Sequence, residues 1–531
     1  MNTINRLLTS AAIGVAVGVS SFAAYAETPA NMLVIANRID DVTTLDPAES
    51  FEFAGSDISR NVYSRLVYLD PLDLAAGYKP GLAESWEVSE DGKTITFTMR
   101  EGVTFHSGNP VRAEDAAFSL QRAVILNKTP AFILTQFGFT PENVAETIKA
   151  DGNKLMITTD QQYATSFVLN CLTATIGAIV DKETVMANEV DGDMGNTWLK
   201  TNSAGSGPYV LDSWKPNESV TLTSNPDYYG GAPAMERVIV RHVLESASQR
   251  LLLERGDIDI ARNLNPEDIA GVMEAGGIKV EDELKGRLMY FSLNQKHPEL
   301  SKPEVRQAFK YLVDYEGMKN SFLKGQYTIH QNFLPATYLG ASEENPFSLD
   351  IEKAKELLAA AGVEGLEIEA GVREAQERIE IAQSLQNTLA QVGITLNITV
   401  GTAKQILARY RARELDLYLG AWGPDYPDPQ TNAGTFAYNP DNSDEAQATG
   451  LLAWRNAWDA GGLTPKVEAA VTEGDRDKRI QMYQDIQAEF RDISPFGIMF
   501  QQIEQSALRE NVMNWSTGQA VTSAAYWQVT K

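Results

Sequence analysis

Residues 373–429 read REAQERIEIAQSLQNTLAQVGITLNITVGTAKQILARYRARELDLYLGAWGPDYPDP, and their periodicity sets the fold class. Ile381, Leu385, Leu389 and Val392 recur at steps of four, four and three, one stripe of a helix running from about Arg373 to Val392. Gly393 ends it, because glycine accepts the left-handed conformation common just past a helix C-terminus. Ile394-Thr395-Leu396-Asn397-Ile398-Thr399-Val400 then reads as a strand, and after a further helical stretch Asp416-Leu417-Tyr418-Leu419-Gly420 reads as another. Helix, strand, helix, strand is the order of an α/β layer. Ligands of such layers bind beyond the carboxyl ends of the strands. That place is held here by Ala421-Trp422-Gly423-Pro424-Asp425-Tyr426-Pro427-Asp428-Pro429.

The same pattern extends outward from this stretch. Between Ser348 and Gly362, Asp350 or Ser348 caps a helix and Gly362 suits its C-terminal end. Thr94–Met99 and Ser219–Thr223 alternate with period two, each a half-buried strand, and Asp91-Gly92 before the first predicts a hairpin turn. No repeat with a period of about 20–50 residues occurs, which excludes a solenoid.

At the start, Arg6 precedes an apolar or small stretch over residues 7–23, and Ala24-Tyr25-Ala26 supplies a small-residue cleavage site before Glu27. This predicts a cleaved secretory signal over residues 1–26, and Glu27 rather than cysteine after the cut predicts no lipid anchor. The mature chain of about 505 residues is too long for one ordinary core, so two or three lobes are expected. Its net charge moves from −26 to −27 with the loss of Arg6, the wrong sign for a nucleic-acid binder or an anionic membrane surface. The one cysteine, Cys171, excludes an intrachain disulfide and any Cys-x-x-Cys metal cluster. Its apolar surroundings, Phe167-Val168-Leu169-Asn170-Cys171-Leu172, predict a buried, inert thiol.

Several blocks carry a family resemblance. They are Leu82-Ala83-Glu84-Ser85-Trp86-Glu87-Val88-Ser89-Glu90-Asp91-Gly92-Lys93-Thr94-Ile95-Thr96-Phe97, then Arg100-Glu101-Gly102-Val103-Thr104-Phe105-His106-Ser107-Gly108, and Ala113-Glu114-Asp115-Ala116-Ala117-Phe118-Ser119-Leu120. Gly205-Ser206-Gly207-Pro208-Tyr209, Asn225-Pro226-Asp227-Tyr228-Tyr229 and Val305-Arg306-Gln307-Ala308-Phe309 add to them. With these the whole mature chain resembles the solute-binding proteins of peptide-type ABC importers, the group of dipeptide, oligopeptide and nickel binders. The resemblance implies an α/β, two-lobed periplasmic binding protein fold with an extra domain in the first lobe and a hinge between lobes. Lobe I is expected at 27–75, 195–290 and 505–531, the extra domain at 76–194 and lobe II at 291–504. It further implies a periplasmic, non-enzymatic monomer without cofactor, which captures a small molecule or short peptide by lobe closure and passes it to a membrane permease.

Asp425 is the foremost site candidate. In the peptide-binding relatives an Asp in this loop pairs with the peptide ammonium, and a buried ammonium needs a carboxylate; without the resemblance, the segment also reads as a proline-braced surface turn. Asp428, between Pro427 and Pro429, reads as a structural corner. Trp422 and Tyr426 are candidates for a pocket wall or equally for core, while the backbone of Ala421 and Gly423 suits pairing with an extended peptide. Arg378, on the helix face of Ile381 and Ala382, is the candidate for a solute carboxylate, with Arg373 as the alternative. A plain Glu374–Arg378 surface pair competes with that reading. Enzyme chemistry finds no support: GxSxG, HExxH and GxxxxGK[ST] are absent, and His106, His242, His297 and His330 lie far apart in sequence. The same scatter opposes a direct metal site, leaving a metal chelate, an opine or a sugar as other solutes for the fold.

Overall fold

The apolar run Met32–Asn37 is buried along nearly its whole length and forms strand β1, flanked in parallel by β4 (Arg237–His242) and β5 (Ile260–Ala261). A strand with neighbours on both sides and cores on both faces has no polar position to offer, hence the unbroken Leu-Val-Ile. The structure is a computed structural model describing residues 27–71, 73–519 and 524–531; the expected export signal lies outside the described residues. No helix among the described residues is long and apolar enough to cross a membrane.

The remaining strands of the main sheet are β2 (Tyr209–Lys215), β3 (Ser219–Ser224), β6 (Ile278–Leu293), β7 (Tyr327–Ile329), β8 (Glu367–Arg373), β9 (Thr395–Gly401), β10 (Leu417–Trp422) and β11 (Phe496–Arg509). They lie in the order β2-β3-β4-β1-β5-β11-β6-β10-β8-β9, with β7 pairing β11. The long antiparallel pair β6 and β11 joins the two halves. At about 3.3 Å per residue, sixteen residues of β6 span about 50 Å, enough to serve both lobes.

Strand periodicity explains how the second half is covered on both sides. Met289, Phe291, Leu293, Leu417 and Leu419 face one core, together with Ile381, Leu385 and Leu389 of the helix Gln376–Ala390. Leu288, Tyr290, Tyr418 and Ile498 face the other, with Phe436 and Phe490. The helix begins three residues later than its apolar stripe predicts. Arg373 pairs with Gly401 as the last residue of β8, and Ala375 is still extended (φ −167°, ψ 139°), so the ladder claims residues that periodicity alone assigns to the helix. Of the two cap candidates upstream, Asp350 accepts from the Lys353 N–H at 2.9 Å, and Gly362 takes φ +64° beyond the helix.

A second unit lies between residues 64 and 180. Its four-stranded antiparallel sheet runs Ala83–Val88, Thr94–Met99, Lys154–Thr158, Ile148–Asp151, and Gly92 turns the first hairpin at φ +69°. Its core gathers Phe97, Phe105, Leu120, Phe137 and Phe167 with Cys171, whose thiol burial pushes well above its ordinary pKa. One member of that core, Tyr426, arrives from the far half of the chain.

Where β6 and β11 cross from one half to the other their register breaks, between Leu284 and Leu288. The break holds a charge network: Arg262 lies 2.7 Å from Asp57 and 2.8 Å from Glu504, with Lys285 3.8 Å from Glu504 and donating to the Thr517 and Gly518 carbonyls. Burial alone would raise the Glu504 pKa, but the two cations hold it below the usual carboxylate range. Its contribution to stability is therefore present above about pH 4.3 and is lost as pH falls through the depressed pKa. Glu504→Gln is expected to cost about 2 kcal/mol at pH 7 in urea unfolding, a difference that shrinks below pH 4. A pH-independent difference would remove the ionic account of the hinge.

Candidate functional site

The loop after β10 is held at both ends. Upstream, β10 pairs antiparallel with β6 up to Leu288↔Trp422, while its parallel pairing with β8 stops at Leu419. Gly420 to Trp422 therefore keep one backbone edge free of β8. Downstream, Asp428 caps the helix Pro429–Phe436, accepting from the Gln430 N–H at 2.9 Å, and Pro429 occupies the first helical position, where no donor is missed. Between these anchors, residues 423–428 cross to the second unit of the first lobe.

There the two halves are fastened at three points, two of them through the loop. The Tyr426 ring packs 5.9 Å from Phe167, and its hydroxyl lies 3.4 Å from Gln136 Oε1. Asp428 is fully buried and ion-paired at 2.7 Å with Arg479, itself 1% exposed, while Asn170 donates to the same carboxylate at 2.9 Å. Ala164 N–H donates to the Val471 carbonyl at 3.0 Å. The two lobes thus meet across this loop.

Beside it lies a cavity of about 190 Å³, more than the roughly 150 Å³ that holds a benzene ring. Gly423, Asp425, Tyr426 and Tyr338 line it from one lobe, and Ser56, Arg60, Arg65, Ile133 and Ile176 from the other. Asp425 donates its backbone N–H to Thr431 Oγ1 at 3.1 Å. Among the described residues no cationic side chain lies within 4.0 Å of its carboxylate. Burial without a counter-charge pushes its pKa up to about 7, the Thr431 hydroxyl offsetting only part of this.

The other sequence candidates fall elsewhere. Ala421 sits in the ladder opposite Met289. Trp422 donates Nε1 to Asn432 Oδ1 at 3.1 Å and packs edge-on to Phe436, against the core of the second lobe. Neither lines the cavity. Arg378 is 6% exposed, and its Nε has no hydrogen-bond partner among the described residues. Its nearest carboxylate is Glu377 at 3.9 Å, not Glu374. Burial and the neighbouring Arg287 lower its pKa. Arg287 lines a second cavity, of about 220 Å³, at the hinge together with Lys285 and Glu504, and Phe53 borders both cavities.

Sequence reasoning missed Arg60 and Arg65. They flank the end of the helix Phe53–Val62 in a stretch, Ser59-Arg60-Asn61-Val62-Tyr63-Ser64-Arg65, that reads as an ordinary solvated helix end. Nothing in the spacing separates a cation facing water from one facing a chamber. Among the described residues no group of three His, Cys, Asp or Glu is placed to hold a metal ion.

Two lobes, a paired-strand hinge and a chamber between them define a solute-binding protein of the two-lobed periplasmic type. The chain belongs to family 5 of the bacterial extracellular solute-binding proteins, whose model matches residues 77–444. It is 28% identical over 496 residues, 92% of either chain, to the probable D,D-dipeptide-binding periplasmic protein DdpA of Escherichia coli, and 27% identical to a dipeptide-binding protein of Pseudomonas aeruginosa over 77% of this chain and 78% of that one. In fold it is similar to HbpA2 of Haemophilus parasuis (TM-score 0.78, 24% identity, 94% of this chain and 99% of that one). It is likewise similar to the periplasmic DppA of Helicobacter pylori, solved with the peptide STSA (TM-score 0.77, 23% identity, 94% and 98%). The family is one of periplasmic transport components that bind solutes rather than transform them.

Proposed function

We propose that this protein captures a short peptide, or a peptide-like solute bearing an amine and a carboxylate, between its lobes and delivers it to the membrane permease of an ABC importer. One observation carries the reading: Asp425 presents a carboxylate without a cation to the interlobe chamber. A solute ammonium is the group that such a carboxylate lacks. The names of the peptide-binding relatives agree with this chemistry. The small cavity argues against a haem-sized guest, since pockets for drug-sized ligands run to about 300–1,000 Å³.

The peptide backbone pairs with the free edge of β10 near Ala421 and Gly423, and its carboxylate is taken by Arg378, whose neighbour Arg287 lines the hinge cavity. Trp422 stiffens the end of that strand, and Tyr426 closes the chamber floor. Residues 27–75, 195–290 and 505–531 act as lobe I, 76–194 as its extra domain and 291–504 as lobe II, which close on the solute about the β6–β11 crossing. Closure supplies the differential affinity that shifts the open–closed equilibrium. Residues 1–26 direct export, the mature protein is an unlipidated monomer, and no cofactor takes part.

Calorimetric titration with Ala-Ala and with N-acetyl-Ala-Ala tests the amine requirement. Acetylation is expected to weaken binding at least tenfold, about 1.4 kcal/mol or more. Equal affinities would remove the ammonium from the account.

A further inference from the structure

The chamber holds more positive charge than an amine-binding carboxylate explains. Arg60 and Arg65 approach it from the first lobe, and the chain turns extended at Tyr63 (φ −112°, ψ 150°), which brings residues five apart in sequence to the same wall. Arg65 is 3% exposed; its Nε donates to the Ala174 carbonyl at 3.0 Å, but its Nη1 is buried without a hydrogen-bond partner among the described residues. The Arg60 guanidinium lies 5.6 Å from the Trp527 ring centroid, and its Nε is likewise buried without a partner. No carboxylate oxygen among the described residues comes within 4.0 Å of either. Burial lowers the pKa of both groups, and the charge of Arg60 lowers that of Arg65 further.

Three arginines whose guanidinium is almost wholly excluded from water are, by contrast with Arg65, each closely paired with a carboxylate. Arg122 is paired with Asp46 at 2.5 Å, Arg262 with Asp57 at 2.7 Å and Arg479 with Asp428 at 2.7 Å. A buried N–H donor without an acceptor is unfavourable, and the Arg65 Nη1 and Arg60 Nε on this cavity wall are two such donors that a guest can complete. Asp57 and Asp70 also act on Arg60, so Arg65 is the cation least answered by this chain's own acids, and its unpartnered Nη1 is an open donor on the cavity wall.

We propose that the preferred solute is acidic: besides its ammonium on Asp425 it carries a side-chain carboxylate seated between Arg60 and Arg65. The guanidinium forks supply the paired N–H donors that a carboxylate accepts best. This rests on reading the chamber as a peptide site, and it narrows the peptides to those with a Glu or Asp residue.

The test is calorimetric titration at pH 7.5 and low salt with Ala-Glu and Ala-Gln, which differ in that one charge. Wild type is expected to bind Ala-Glu at least tenfold more tightly, and the preference to fall below threefold in Arg65→Gln or, should that variant not fold, in Arg60→Gln. Equal binding of the two dipeptides to wild type overturns the acidic preference while leaving the peptide reading intact. A preference that survives in both variants overturns the assignment to these arginines. Should neither dipeptide bind, the peptide reading fails first, and glutarate then decides for the arginines. A rise in Tm with glutarate that is absent in Arg65→Gln supports the seat, and no rise in wild type overturns it.

Discussion

Asp428→Ala is expected to lower the free energy of unfolding by about 3–5 kcal/mol, the usual result of removing one partner of a buried ion pair. The residue has three tasks at once. It pairs with Arg479 where both side chains are almost wholly excluded from water, it accepts from Asn170 of the opposite lobe, and it caps the helix Pro429–Phe436. Burial alone would lower the Arg479 pKa, but the facing carboxylate raises it above its ordinary value, so the cation stays charged and stranded when the acid is gone. Urea unfolding reads the loss. Asp428→Leu combined with Arg479→Met should recover most of it, because the penalty belongs to the uncompensated charge rather than to the missing contact. The same change loosens the contact between lobes, so small-angle scattering should show a larger radius of gyration for ligand-free Asp428→Ala than for wild type. A loss below 1 kcal/mol, or a double variant as unstable as the single one, would remove the buried pair as the anchor that holds this loop in place.

Why Asp428 and Asp425 differ so much was only partly legible in the sequence. The steps of Ile381, Leu385 and Leu389 and the strand after Gly393 locate the α/β layer, since those periods are local and strong. The same reading puts residues 421–429 at the carboxyl end of β10, where the structure has them. Proline on either side of Asp428 identifies a corner, and the structure makes it a helix cap. What the pattern does not contain is contact across lobes. Tyr426 meets Phe167 and Gln136 across separations of 259 and 290 residues, and no periodicity encodes such a meeting. The boundary at Arg373 was misplaced because strand pairing, a tertiary interaction, outweighed a helical stripe. Arg60 and Arg65 were invisible because a lone arginine at a helix end is far more often solvated.

Asp425→Asn is expected to act in opposite directions on the empty and the loaded protein, which separates a binding residue from a structural one. In the ligand-free protein burial raises the Asp425 pKa to about 7, against about 3.9 for an unfolded chain. The folded state then holds its proton where the unfolded state has lost it. This group therefore subtracts stability progressively as pH rises from about 4 to 7, and in full above 7. Removing the charge should stabilise the empty protein by about 1–2 kcal/mol at pH 8, a value discounted for the partial exposure of the side chain, and change nothing near pH 4. Binding of an amine-bearing dipeptide moves the other way. The solute ammonium selects the ionised carboxylate, so affinity for wild type should fall about fivefold between pH 8 and pH 6, the peptide's own amine being about half deprotonated at pH 8, with close to one proton released per peptide bound at pH 6. In Asp425→Asn the affinity should be at least tenfold weaker at pH 8, and the proton release should vanish. Titrations in two buffers of different ionisation enthalpy measure that release directly. A variant that binds as tightly as wild type, or that is less stable when empty at pH 8, would transfer Asp425 from the binding site to the scaffold, because a carboxylate that holds the fold together cannot also be the one the fold is better without.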